Sequence, residues 1–161
     1  VLTSGGTGVA PTFQTAAAGG KVLQVVTGTT TSSTTTSSGS YVATNLSASI
    51  TPATGSKVLV LVSGGTKQSN TAGGIAVTIY RDSTDLSTND SFSLGMVSIA
   101  SEVMQPLSMN KLDTSPGGDG STSILYKVYC KLWSGTSETV VFNHGGDPGL
   151  QGTITLIEIG V

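Results

Sequence analysis

The run Lys57-Val58-Leu59-Val60-Leu61-Val62, closed by Ser63-Gly64-Gly65, is the most continuous apolar stretch in the chain. On a strand, Val58, Val60 and Val62 point to one face while Leu59 and Leu61 point to the other. Both faces are apolar, so the strand is expected to be covered on both sides, by a second sheet and by another element or another copy of the chain. A buried helix segment is the competing reading. The shortness of the run, its β-branched residues and its Gly-Gly end favour a strand.

The same two-faced pattern recurs in residues 21–27, through Val22, Leu23, Val25 and Val26, and in residues 153–159, where Ile154 and Leu156 oppose Thr153, Ile157 and Ile159. Elsewhere the alternation is one-sided. Ile75, Val77 and Ile79 mark a core face, and so do Ile124, Tyr126, Val128, Cys130 and Leu132, with Leu125, Lys127, Tyr129, Lys131 and Trp133 opposite. Residues 41–51, 91–100, 104–112 and 138–144 supply further strands, with Pro106 arguing for an edge position. About nine short strands at regular spacing, with no long amphipathic helix, predict an all-β, antiparallel β-sandwich of jelly-roll-like type. A sandwich strand has one inner face. The outer faces of Val22, Val58, Leu59, Val60, Leu61, Val62, Ile154, Leu156 and Ile157 are therefore expected to divide between core and a subunit interface.

Residues 1–20 have scattered apolar side chains without a period and read as a linker or shaft-end arm, leaving residues 21–161 as the sandwich domain. Leu2, Val9 and Phe13 are apolar enough to pack against neighbouring copies. Residues 28–40, almost all Thr, Ser and Gly, read as a long mobile surface loop. If successive strands are antiparallel, residues 28–40, 64–74, 101–103 and 134–137 lie at the end far from the arm. Residues 52–55, 82–90, 114–121 and 145–152 then lie at its base.

At 161 residues the chain accommodates one such domain. Only 10% of residues are charged, the net charge is -2 and the pI about 5.1. No basic field exists for nucleic acid or anionic lipid, and no run of about 18 apolar residues for membrane insertion. A signal peptide is not expected from residues 1–20. About 70 residues are Ser, Thr or Gly, a surface wetted by hydroxyls and amides. Cys130, the sole cysteine, makes no intrachain disulfide and reads as a small buried hydrophobe.

Candidate chemistry is sparse. His144 with Asp147 has no nucleophile beside it and sits in a turn-like setting. Asp113 and Asp119 lack the spacing of a cation loop, and Gly117-Gly118-Asp119-Gly120 lacks the lysine and helix of a phosphate loop. Acidic pairs for glycoside hydrolysis have no supporting context. Tyr129 and Trp133, with Lys127 and Lys131, form either an aromatic platform for sugar rings or a subunit contact. No enzyme, metal or cofactor is expected.

Two stretches resemble bacteriophage tail fibre proteins. Residues 1–13, VLTSGGTGVAPTF, look like the repeat linker preceding fibre modules. GKVLQVV at 20–26, SITP at 49–52, KVLV at 57–60, YRDST at 80–84, YKV at 126–128 and ITLIEI at 154–159 follow the order and spacing of a C-terminal module common in phage fibres. The resemblance implies a homotrimeric β-sandwich knob on the virion that works beside other virion proteins. It would bind a host surface glycan or an outer-membrane protein. With the far-end loops, it makes Lys67, Gln68, Asn70 and Glu102 the receptor-binding candidates. Similar modules serve as capsid decoration, cement or head-fibre proteins, the alternative role.

Overall fold

Val58, Val60 and Val62 lie in the core and Leu59 and Leu61 face away from it, as their alternation predicts. The computed structural model describes residues 2–3, 6–10, 12–13, 20–68, 73–87, 94–99, 104–134, 139–143 and 151–160. In it, β1 (Leu2–Thr3) pairs with β2 (Thr12–Phe13). The sandwich is built from β3 (Val22–Thr30), β4 (Thr34–Thr36), β5 (Val42–Ile50), β6 (Lys57–Gln68), β7 (Gly73–Arg81), β8 (Thr84–Asp85), β9 (Gly95–Ile99), β10 (Met104–Asp113), β11 (Ile124–Ser134), β12 (Val140–Phe142) and β13 (Gly152–Ile159).

These segments lie on eight tracks, because three of the tracks are interrupted strands. Phe142 stands opposite Thr66 and Thr153 opposite Ser63, so β12 and β13 run end to end along one side of β6. Outside them β3 and β4 form one edge by pairing with β13 and β12, and β10 forms the other edge by pairing with β6. In the second sheet β11 lies between β5 and β7, and β8 and β9 share the outer side of β7. All pairings are antiparallel. The chain visits the sheets in the order of a jelly roll, with sheet one as β3/β4, β12/β13, β6, β10 and sheet two as β5, β11, β7, β8/β9.

One sequence expectation needs correction. Residues 28–40 are not one loop: β3 continues to Thr30 and β4 follows, since threonines suit a pleated ladder when a partner strand supplies the pairing. The β-sandwich expected from about nine strands is present with eleven strand segments on eight tracks, β12 and β13 sharing one. The expected turn at 145–152 lies largely outside the described residues; the strands on either side of it, β12 and β13, meet β6 midway, at residues opposite Thr66 and Ser63. Asn143 follows β12 directly. It adopts φ 53°, a left-handed conformation asparagine tolerates. Its amide donates to Gly65 O at 2.6 Å, and its side-chain Nδ2 to Thr30 O and Ser32 O at 2.9 and 3.3 Å. One buried side chain, at the end of β12, thus satisfies two carbonyls where the edge track breaks between β3 and β4.

The interior is filled from both sheets, by Val58, Val60, Val62, Leu107, Met109, Ile154 and Leu156 on one side and Leu46, Ile50, Ile75, Val77, Ile79, Tyr126, Val128, Cys130 and Leu132 on the other. Cys130 packs as a hydrophobe, and burial pushes its thiol up to about 12. Two polar clusters close the base. Asp113, at the end of β10, accepts from Arg81 Nη1 at 2.9 Å and from the Tyr126 hydroxyl at 2.8 Å, joining the sheets. Burial first, and then the bond to Asp113, raises the Tyr126 hydroxyl well above its ordinary value. Glu158, buried on β13, accepts from Gln24 Nε2 at 2.6 Å and from the Ala53 amide at 2.8 Å. Where β3 crosses β5 the sheets nearly touch: a Cβ on Gly28 would stand 2.1 Å from Ser47 O.

Strand direction defines two ends. Gly20 N donates to Gly160 O and Gly160 N to Lys21 O, both 2.9 Å, so the chain after residues 1–19 enters at the end where β13 finishes. The connections β4–β5, β6–β7, β9–β10 and β11–β12 join strand ends at the opposite end.

Candidate functional site

Sheet one carries an apolar row on its outer face. Val25 pairs with Ile157, Ile157 with Leu59 and Leu59 with Leu112, so the four side chains lie abreast across all four tracks near the base. Val25 is 56% exposed and Leu112 42%; neighbouring Val22 and Leu61 are 59% and 39% exposed. Towards the far end the same face turns polar with Thr27, Thr29, Thr153, Thr155, Ser63 and Ser108. Of the residues assigned from sequence to core or interface, Val58, Val60, Val62, Ile154 and Leu156 are core, and Val22, Leu59, Leu61 and Ile157 belong to this outward surface.

Sheet two presents different chemistry outward. Along β11, Lys127, Tyr129, Lys131 and Trp133 project from the face opposite the core, above small residues of β7: Tyr129 stands opposite Thr78 and Lys131 opposite Ala76. A Cβ on Gly74 would lie 2.9 Å from Trp133 Cε3, so the indole rests directly on that glycine. Tyr129 leans to Tyr80, with ring centroids 4.1 Å apart, and Tyr80 meets Tyr41 edge-on at 6.3 Å. The Lys131 ammonium sits 4.4 Å from the centre of the Tyr41 ring. The sequence points to Tyr129 and Trp133. Tyr41 and Tyr80 join them only because β5 and β7 flank β11. Asp85 is an acid of this sheet, and its Oδ1 is engaged by the Thr78 hydroxyl at 2.6 Å and the Ser87 amide at 2.9 Å.

Lys67 is placed on the outward side of β6 near the far end, opposite Met104 and Val141. Gln68 ends that strand opposite Val140. Asn70, Glu102 and His144 lie outside the described residues. Asp113 is committed to Arg81 and Tyr126. Asp119 accepts from the amides of Ser121 and Thr122 at 2.7 and 2.6 Å, and those bonds, the Thr122 amide foremost, hold its carboxyl far below the usual range. Both aspartates thus act as structural acceptors. Among the described residues no group of three His, Cys, Asp or Glu side chains is arranged to hold a metal, and no helix is long and apolar enough to cross a membrane.

No family model matches the chain, and no curated protein matches it. Among solved structures, one described as "Structure of infectious bursal disease virus Gx strain" overlays at TM-score 0.43 and 17% identity, covering 99% of this chain and 45% of that one. The chain therefore spans less than half of that neighbour. The functional reading rests on the two outer faces.

Proposed function

We propose that this chain is a virion surface module: the homotrimeric knob at the tip of a phage tail fibre, which attaches the particle to a host surface glycan or outer-membrane protein. The observation that carries the reading is the outward row Val25, Ile157, Leu59 and Leu112 on a sheet whose other face already fills the core. Apolar side chains aligned across a whole sheet are costly to leave in water and favour self-association. Four tracks spaced about 4.8 Å apart make a face about 19 Å wide. Three such faces around a three-fold axis put each sheet about 5.5 Å from the axis, half the ~10 Å separation of packed sheets, so one layer of side chains fills the centre.

Attachment geometry supports the same reading. Residues 20–22 pair at one end, beside the apolar row, and β4, β6, β9 and β11 finish at the other end. The likeness of residues 1–13 and 20–159 to fibre linkers and fibre modules supplies the virion context. The test is competition: purified protein, added to host cells before infection, should block adsorption. Binding confined to assembled capsid lattice, with no competition for the host, would replace the receptor role by a capsid decoration role.

A further inference from the structure

We infer that the outer face of sheet two is a binding site for an acidic glycan, with Tyr129, Tyr80 and Trp133 as the stacking surface and Lys131 and Lys127 as partners for a carboxylate or phosphate on the sugar. This rests on the receptor-binding reading and places the contact on the side of the sandwich, not only at its far-end loops.

Aromatic faces bind pyranoses because the axial C–H bonds of a sugar pack against the negative face of a ring. Here the rings are held in place before any ligand arrives. Tyr129 is fixed against Tyr80 at 4.1 Å, Tyr80 against the edge of Tyr41 at 6.3 Å, and Trp133 lies on Gly74, where no side chain intervenes. Rigid, two-torsion side chains lose little entropy on binding. Trp133 remains 46% exposed, so ring surface is left to cover.

Charge selects the ligand. Lys127 and Lys131 flank Tyr129 on the same strand face, and Lys131 is held over Tyr41 at 4.4 Å, which keeps an ammonium beside the aromatic surface. Asp85 adds one negative charge to this face, held by the Thr78 hydroxyl and the Ser87 amide, against the two ammoniums of Lys127 and Lys131. In a chain with net charge -2, a face bearing two lysines among four aromatics fits an anionic sugar better than a neutral one. The self-association row lies on the opposite sheet, so both surfaces function in the same assembly.

Trp133 is the only tryptophan, so its fluorescence reports the site directly. The full chain would be titrated with trigalacturonate as a carboxylated probe, pentamannose 6-phosphate as a phosphorylated probe and maltotriose as a neutral control. The expected result is saturable change with at least one acidic probe and binding of maltotriose at least about tenfold weaker. Tyr129→Ser should weaken the acidic probe by about tenfold or more, and Lys131→Gln should remove the preference over maltotriose and flatten the salt dependence. Unchanged melting temperatures confirm that the variants are folded; if Tyr129→Ser is not, Lys131→Gln decides alone. No response to either acidic probe, a preference for maltotriose, or identical titrations for wild type and Lys131→Gln would overturn the site. If wild type and variants compete equally for host adsorption, the platform falls and the receptor reading stands. If Lys131→Gln loses that competition, the platform is the receptor contact.

Discussion

Replacing Asp113 with alanine should destabilise the sandwich by about 3 kcal/mol, and the reason lies in how many groups depend on that one carboxylate. It accepts from Arg81 Nη1 through both oxygens, at 3.0 and 2.9 Å, from the Tyr126 hydroxyl at 2.8 Å and from the Ser115 amide at 3.2 Å. Removing one partner of a buried ion pair costs about 3–5 kcal/mol. Arg81 is 23% exposed and keeps its bond to Ser115 O, so the lower end applies. Tyr126→Phe removes a bond to a charged acceptor, worth about 1.5–3 kcal/mol, but Asp113 retains Arg81, which sets the cost near 1.5 kcal/mol. With Asp113 already replaced, the Tyr126 hydroxyl has lost its acceptor, and Tyr126→Phe should cost almost nothing. The double variant should therefore match Asp113→Ala, with a coupling of about 1.5 kcal/mol. Urea unfolding at one fixed protomer concentration measures all four states. Strictly additive costs, or a Tyr126→Phe effect below about 0.3 kcal/mol, would refute the clasp between the sheets.

Gly28→Ala places a Cβ 2.1 Å from Ser47 O, a backbone atom that cannot rotate away, and should cost at least about 2 kcal/mol in the same assay. For Glu158, burial acts to raise the carboxyl, but the bonds from Gln24, Ser56 and the Ala53 amide outweigh it and hold it below its ordinary value. Its contribution is thus complete above the unfolded-state value near 4.3 and is lost as pH falls through the lower folded value; Glu158→Gln should flatten the acid limb of a stability-versus-pH curve. Asn143→Ala removes the donors to Thr30 O and Ser32 O and strains a residue at φ 53°, for a loss of about 2 kcal/mol by urea unfolding.

The core was legible because alternation is a local property. Residues 58–62, 75–79, 124–132 and 154–156 announce their inner faces whatever strands they pair with. Thr29, Thr30 and Thr34–Thr36 carry no apolar signal, and their strand state comes from β12 and β13, more than a hundred residues away. The shared track of β12 and β13 was hidden for the same reason. Asn143 in a loop-like context looks like a turn residue; its role depends on carbonyls that only the folded edge brings near. Leu59 and Ile157 could be read as two-faced strand residues, but their row with Val25 and Leu112 is a matter of register. Tyr129 was visible as an outward aromatic. Its contact with Tyr80, and the closure of the cluster by Tyr41, required the order β5–β11–β7.

Analytical ultracentrifugation of the purified chain at micromolar concentration tests self-association through the apolar row most directly. A single trimeric species is expected for the wild type, and a shift to monomer for Leu59→Asp, whose side chain faces outward and leaves the core intact. Ser33→Asp, on the edge between β3 and β4, should remain trimeric. A wild-type chain that sediments as a stable monomer, or a Leu59→Asp variant with the sedimentation of the wild type, would contradict the account.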